Sequence, residues 1–143
     1  DSGVRKEFSR MIKIQDTYSI LIQPMLSGTE LFVGAEHEPM FGHMILCGLG
    51  GIFLEVLKDI SAGLVPVYRD EAITMIRNLK SYKIIKGARG QKGVNEDAFA
   101  DIILRLSGLL QIAPEIVELD FNPLLGTADS VVVVDARINI KRN

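Results

Sequence analysis

The sequence predicts an α+β domain, an antiparallel sheet with helices packed on one face. Three observations carry that reading. Short apolar runs broken by turn residues fill the first fifty positions. One strongly capped amphipathic helix follows at residues 95–113. The chain then closes on a hairpin, Glu118–Leu125 returning through Val131–Ile138. Strands first, helices next and strands last is an α+β order and not a βαβ alternation.

In chain order, Val4–Ile14 reads as a helix with Phe8, Met11 and Ile12 at helical spacing. Tyr18–Leu26 reads as a strand, apolar on both faces, in which Pro24 must sit where no ladder donor is needed. Ser27-Gly28-Thr29 is turn chemistry, and Glu30–Ala35 is expected to pair with the preceding strand. Glu36–Gly42 is a second turn, and His43–Cys47 completes a three-strand meander. The turn Gly48-Leu49-Gly50-Gly51 and the apolar runs Ile52–Leu57 and Leu64–Val67 come next. Asp70 is a fair N-cap for a helix with Ala72, Met75, Ile76 and Leu79 on its buried stripe. Asn95 caps the helix of Phe99, Ile102, Ile103, Leu106 and Leu110, with Val94 and Phe99 at staple positions and Pro114 as its stop.

The totals narrow the function classes. A chain of 143 residues with 48% hydrophobic residues and mean hydropathy +0.24 can bury one core. Net charge of −2 offers no electrostatic case for nucleic acid or an anionic membrane. No run is long enough for a membrane helix. The single cysteine, Cys47, fits a reducing, cytoplasmic setting and reads as a core residue. The first residue is Asp1 rather than Met, so a piece of a longer protein is expected.

The final hairpin is the first candidate site. Alternation puts Glu118, Asp120 and Asn122 on one face, and the return strand brings Asp135 back beside Asn122. Oxygen ligands aimed at one place suit a hard cation such as Mg²⁺. A solvated face with cross-strand pairs such as Asp120 with Arg137 fits the same pattern. Against it, Val131–Val134 implies burial on both faces. Gly48–Gly51 could admit a phosphate or be a simple turn. The basic stretch Lys80–Lys92, with Arg89 between glycines, could neutralise a polyphosphate or be a solvated face. His37 and His43 lack a third ligand at zinc spacing and read as surface or turn residues. No catalytic residue is assigned.

The residues together resemble a family. From about Ile20 to Ile138 the chain is similar to the C-terminal part of the ATP-grasp domain of ADP-forming (NDP-forming) acyl-CoA synthetases, relatives of the succinyl-CoA synthetase β subunit. The resemblance rests on Leu21–Met25, Phe41-Gly42, Gly48–Asp59, Gly87–Gly90, Glu118–Leu124 and Val134–Ile138, which stand in the family's order. It implies residues 1–17 as helix and linker from a preceding ATP-grasp region and 18–143 as the C-terminal subdomain. It implies Gln23, Met25 and Leu26 at the adenine, largely through backbone groups, and Glu30 on the ribose. Arg89, Gly50 and Gly51 would lie near the phosphates, with Asn122 and Asp135 holding Mg²⁺. The implied reaction interconverts acyl-CoA, ADP and phosphate with acid, CoA and ATP, through an acyl phosphate and a phosphohistidine on another domain.

The implied partners are the ATP-grasp lid and the CoA-binding and ligase domains, in a homo- or hetero-oligomer, with the isolated chain incompetent. A regulatory ATP-grasp region of a multidomain protein acetyltransferase, or an assembly module without catalysis, are the alternatives. Among departures from the family pattern, Glu38 and His43 stand for a usual Asp and Pro. Ala62-Gly63 stands for a usual Phe-Arg, removing one expected phosphate contact.

Overall fold

The computed structural model describes residues 1–88, 90 and 92–141. Helix α1 (Ser2–Met11) starts where Asp1 accepts a hydrogen bond from the Gly3 amide at 3.1 Å. None of its residues is buried, so its apolar stripe of Val4, Phe8 and Met11 faces outward.

The expected strand Tyr18–Leu26 is not a strand. The segment is extended and unpaired, with Tyr18 and Met25 exposed at 92% and 97%. An apolar run cannot make a strand without a neighbour to take up its N–H and C=O groups. The meander is real but displaced along the chain. It consists of β1 (Thr29–Glu38), β2 (Gly42–Leu49) and β3 (Ile60–Leu64), each antiparallel to the next. The β1–β2 turn is shorter than expected, because His37 still pairs with His43 and Glu38 with Gly42. The run at Ile52–Leu57 forms a short helix, α2.

Helix α3 (Arg69–Arg77) buries Ala72, Met75 and Ile76. Its cap differs from expectation. Tyr68 occupies the N-cap position, while Asp70 and Glu71 lie in the first turn, where they meet the positive end of the helix dipole. A single turn, α4 (Tyr82–Ile85), leads on. Helix α5 (Glu96–Ile112) begins as expected, with the Asn95 side chain accepting from the Ala98 amide at 2.9 Å. Its stripe of Phe99, Ile103, Leu106 and Leu110 is buried. Asn95→Ala will lose that cap and cost about 1 kcal/mol, read as a lower denaturant midpoint at unchanged slope.

Strand β4 (Ile116–Gly126) pairs with β1 on one side. On the other side the expected single return strand is divided into β5 (Val131–Val133) and β6 (Ala136–Ile140). The break falls at Val134-Asp135, opposite Asn122-Pro123. There Val134 N–H donates to Pro123 O at 3.1 Å and Asn122 N–H donates to Asp135 O at 3.3 Å. The sheet order is β3-β2-β1-β4-β5, with β6 also on β4. The valines lie on the outer edge, so Val132, Val133 and Val134 are partly exposed and the expected burial on both faces is not met.

Helices α3 and α5 cover one face and make the core with Leu31, Val33, Ile45, Cys47 and Leu119. On the other, open face, Phe32, Gly34, Glu36, Glu118, Asp120 and Asn122 line a recess together with Leu54 of α2. No helix among the described residues is long and apolar enough to cross a membrane.

Candidate functional site

The alternation of β1 and β4 decides which residues reach the open face. Leu31 and Leu124 go to the core, so their neighbours Glu30 and Leu125, which pair across β1 and β4, go to the open side. The segment Gln23–Leu26, together with Leu125 and Val132–Val134, lines a recess of about 450 Å³. A close approach of backbones sets its entry: a Cβ at Gly28 would stand 2.6 Å from the Gly126 carbonyl oxygen. Among the described residues, no backbone group of Gln23, Met25 or Leu26 makes a backbone–backbone hydrogen bond. These donors and acceptors are therefore free to read the edge of a flat polar ring laid in an apolar slot.

The glycine turn after β2 closes on β1. The Gly50 amide donates to the Glu30 carbonyl at 2.9 Å, which places Gly50 and Gly51 beside Glu30. Arg89, expected near them, lies outside the described residues.

A few residues along β4 from Leu125, the Asn122–Asp135 backbone bond holds the two expected metal ligands on adjacent strands at the β5–β6 break. The Asp135 carboxylate stands 3.6 Å from Arg137 Nε, with both side chains largely in solvent. Asp120 is the residue whose part the sequence understated. Its Oδ1 is buried and has no hydrogen-bond partner among the described residues. Burial pushes its carboxyl above the usual aspartate range, the Arg137 guanidinium opposes this, and the charges of Glu118 and Asp135 add to it. The only hint in the sequence was its place in the alternation with Glu118 and Asn122.

This donor set fits a Mg²⁺ ion shared with a ligand. Among the described residues no group of three His, Cys, Asp or Glu side chains could hold a metal by itself. Mg²⁺ is commonly held by one or two protein oxygens, with waters and substrate phosphates completing its octahedron. Asn122 and Asp135 would be such a pair, with Asn122 on the strand that also carries Asp120, whose buried Oδ1 has no partner among the described residues.

The Asp120 shift has a testable sign. At neutral pH the carboxylate is charged in the folded and unfolded states, and the folded state carries the burial penalty. As pH falls through the raised folded pKa towards the unfolded 3.8, the folded state takes up its proton first and the penalty is lifted. Without divalent cation, Asp120→Asn will therefore raise the unfolding midpoint at pH 7, and the gain will shrink towards about pH 4. An unchanged midpoint at pH 7 would show that Oδ1 is satisfied.

Other candidates settle elsewhere. His37 is exposed, but His43 is buried and not a surface residue; its Nε2 donates to the Ile116 carbonyl at 2.6 Å, tying β2 to the start of β4. Burial, with the Asp59 charge adding, pushes the Cys47 thiol up to about 12, in keeping with an inert core residue. Gly63 does not face the open side. A side chain there would meet Met75 Sδ at 2.7 Å and Val67 Cγ2 at 3.3 Å, so the expected loss of a phosphate contact at this position does not apply to this backbone.

Comparison with known proteins shows the family. The profile of the ATP-grasp domain family matches residues 2–140. The β subunit of ADP-forming acetate–CoA ligase I of Pyrococcus furiosus is 45% identical over 124 residues, covering 86% of this chain and 53% of that subunit. ADP-forming acetate–CoA ligase I of Archaeoglobus fulgidus is 44% identical over 120 residues, covering 83% of this chain and 18% of that protein. The apo structure of the dinucleotide-forming acetyl-coenzyme A synthetase 1 of Ca. Korarchaeum cryptofilum superposes with a TM-score of 0.84 at 34% identity, covering 98% of this chain and 67% of that one. The chain thus spans about half the length of the Pyrococcus subunit it matches.

Proposed function

This chain belongs to the ATP-grasp domain family, and on that premise we propose that it is the nucleotide- and Mg²⁺-binding portion of an ADP-forming acyl-CoA synthetase. The observation that carries the proposal is the convergence on one open sheet face of the Gln23–Leu26 recess, Glu30 with Gly50 and Gly51, and the Asn122–Asp135 pair. In this reading residues 18–143 are the C-terminal ATP-grasp subdomain, and residues 1–17 are the helix and linker leading from the remainder of that fold.

The residues divide the work. The free backbone groups of Gln23–Leu26 bind the adenine edge, while Leu125 and the valines of β5 supply the apolar floor. The Glu30 carboxylate accepts hydrogen bonds from the ribose hydroxyls, charge-assisted and so stronger than neutral ones. Asn122 and Asp135 would hold Mg²⁺, which when bound neutralises charge on the nucleotide phosphates. Phosphoryl transfer of this kind is mostly positioning and electrostatics, which a rigid sheet face supplies.

The reaction proposed for the whole protein is acyl-CoA, ADP and phosphate to or from acid, CoA and ATP, with the acyl phosphate and phosphohistidine steps on other domains. The lid and the CoA-binding domains are its partners, and the 143 residues alone do not turn over. The test is calorimetric titration of the complete protein with ATP in the presence and absence of Mg²⁺. Saturable binding that weakens at least tenfold on chelation is expected. Absence of binding, or binding indifferent to Mg²⁺, would refute the assignment.

A further inference from the structure

The glycines of the turn after β2 are not equivalent. A Cβ built on Gly48 would stand 2.6 Å from the Asp59 carbonyl oxygen, and one on Gly50 2.9 Å from the Leu31 carbonyl oxygen. Both clashes are with backbone, so these glycines let main chains pass close to each other. Gly51 differs. Around its missing side chain, among the described residues, the atoms within 4 Å are those of the Glu30 carboxylate, and an added Cβ would overlap Glu30 Oε2. The Gly51 backbone, at φ 57° and ψ −142°, is in a region that residues with a Cβ rarely occupy.

From this geometry we infer that Gly51 is a positioning residue for Glu30: the space left by its absent side chain is the seat of the Glu30 carboxylate. The main chains are joined next to the seat, since the Gly50 amide bonds the Glu30 carbonyl. The Glu30 side chain is itself exposed, and an exposed glutamate has several rotamers open to it. Placing the carboxylate over a bare Cα marks one of them as the working position. Any side chain at 51 fills the seat and drives the carboxylate off, leaving its charge but not its place. The inference rests on the reading of Glu30 as the ligand for the ribose hydroxyls, and adds to it the residue on which that recognition depends.

The experiment compares ADP with 2′,3′-dideoxy-ADP, by equilibrium binding and by KM, in the complete protein and its Glu30→Ala, Gly51→Ala, Glu30→Asp and Glu30→Ala/Gly51→Ala variants. The unaltered protein is expected to favour ADP by about tenfold or more, the worth of a charge-assisted hydrogen bond. Glu30→Ala removes the preference. Gly51→Ala lowers the ratio of ADP to dideoxy-ADP affinity to the same extent, and in that ratio the double variant is no worse than either single one.

Glu30→Asp leaves the Gly51 backbone untouched but draws the carboxylate back from the seat, so it too loses the preference. This variant decides the matter if Gly51→Ala does not fold. The inference is overturned if Gly51→Ala or Glu30→Asp keeps the full preference, or if Gly51→Ala weakens both nucleotides equally. Glu30→Ala with an undiminished preference would instead overturn the ribose assignment from which the inference starts.

Discussion

Replacing Asp135 with alanine in the complete protein will reduce turnover of acyl-CoA, ADP and phosphate by on the order of 100-fold or more, the rate equivalent of a few kcal/mol of lost metal-ion stabilisation. The fold will survive the change. The Asp135 side chain is half exposed, and the bond that joins it to Asn122 uses its backbone carbonyl, which alanine retains. Arg137, released from Asp135, stays near Asp120 and still offsets part of that carboxylate's burial. Asn122→Ala will act in the same direction but less, because an amide oxygen is a weaker ligand than a carboxylate. Initial rates across a Mg²⁺ titration, alongside a thermal melt, make the check. Unchanged rates at limiting Mg²⁺ would remove Asp135 from the metal site. A fall in rate matched by a fall in melting temperature would make its role structural.

Phe99→Ala will have the largest effect on stability, about 3–5 kcal/mol, which is a large share of the roughly 5–15 kcal/mol that holds a typical domain. Phe99 has no exposed surface and stands in the first turn of α5, where its amide donates to the Asn95 carbonyl at 3.0 Å. The ring packs into the core that joins α3 and α5 to the sheet. Truncation leaves a void at the centre of that joint, which the surrounding strands can only partly fill. Phe41→Ala is the matched control. Phe41 lies in the β1–β2 turn and is 65% exposed, so its loss will shift stability by no more than about 0.5 kcal/mol. Denaturant midpoints for the two variants give the comparison directly. A loss below about 1 kcal/mol for Phe99→Ala would mean that α5 does not hold the sheet.

Helix α5 was fully legible in the sequence. Its cap Asn95, its staple pair Val94 and Phe99, its stripe and its stop at Pro114 act within a turn or two of one another, so a short window contains the whole physics. Tyr18–Leu26 shows the reverse. Its apolar run reads as strongly as that of β1, but a strand is made by its neighbour, and no window within the segment says whether a neighbour arrives. Likewise Val131–Ile138 reads as one strand. The break at Val134-Asp135 exists because Asn122-Pro123 lies opposite it, some dozen residues away in sequence.

The site divides along the same line. By itself the sequence determined the fold class, the acidic alternation of β4 and the pairing of Asn122 with Asp135, all consequences of period and of a short hairpin loop. The resemblance to a family added Glu30 and the recess at Gln23–Leu26. Only the tertiary structure decided that Asp120 keeps a buried oxygen without a partner among the described residues and that Glu30 sits over Gly51. The first depends on the register of β1 against β4 and on its shift between Leu31 and Val33, the second on the register of β1 against β2. Register is set by which side chains the whole sheet buries against α3 and α5, a sum over distant residues that no local pattern contains.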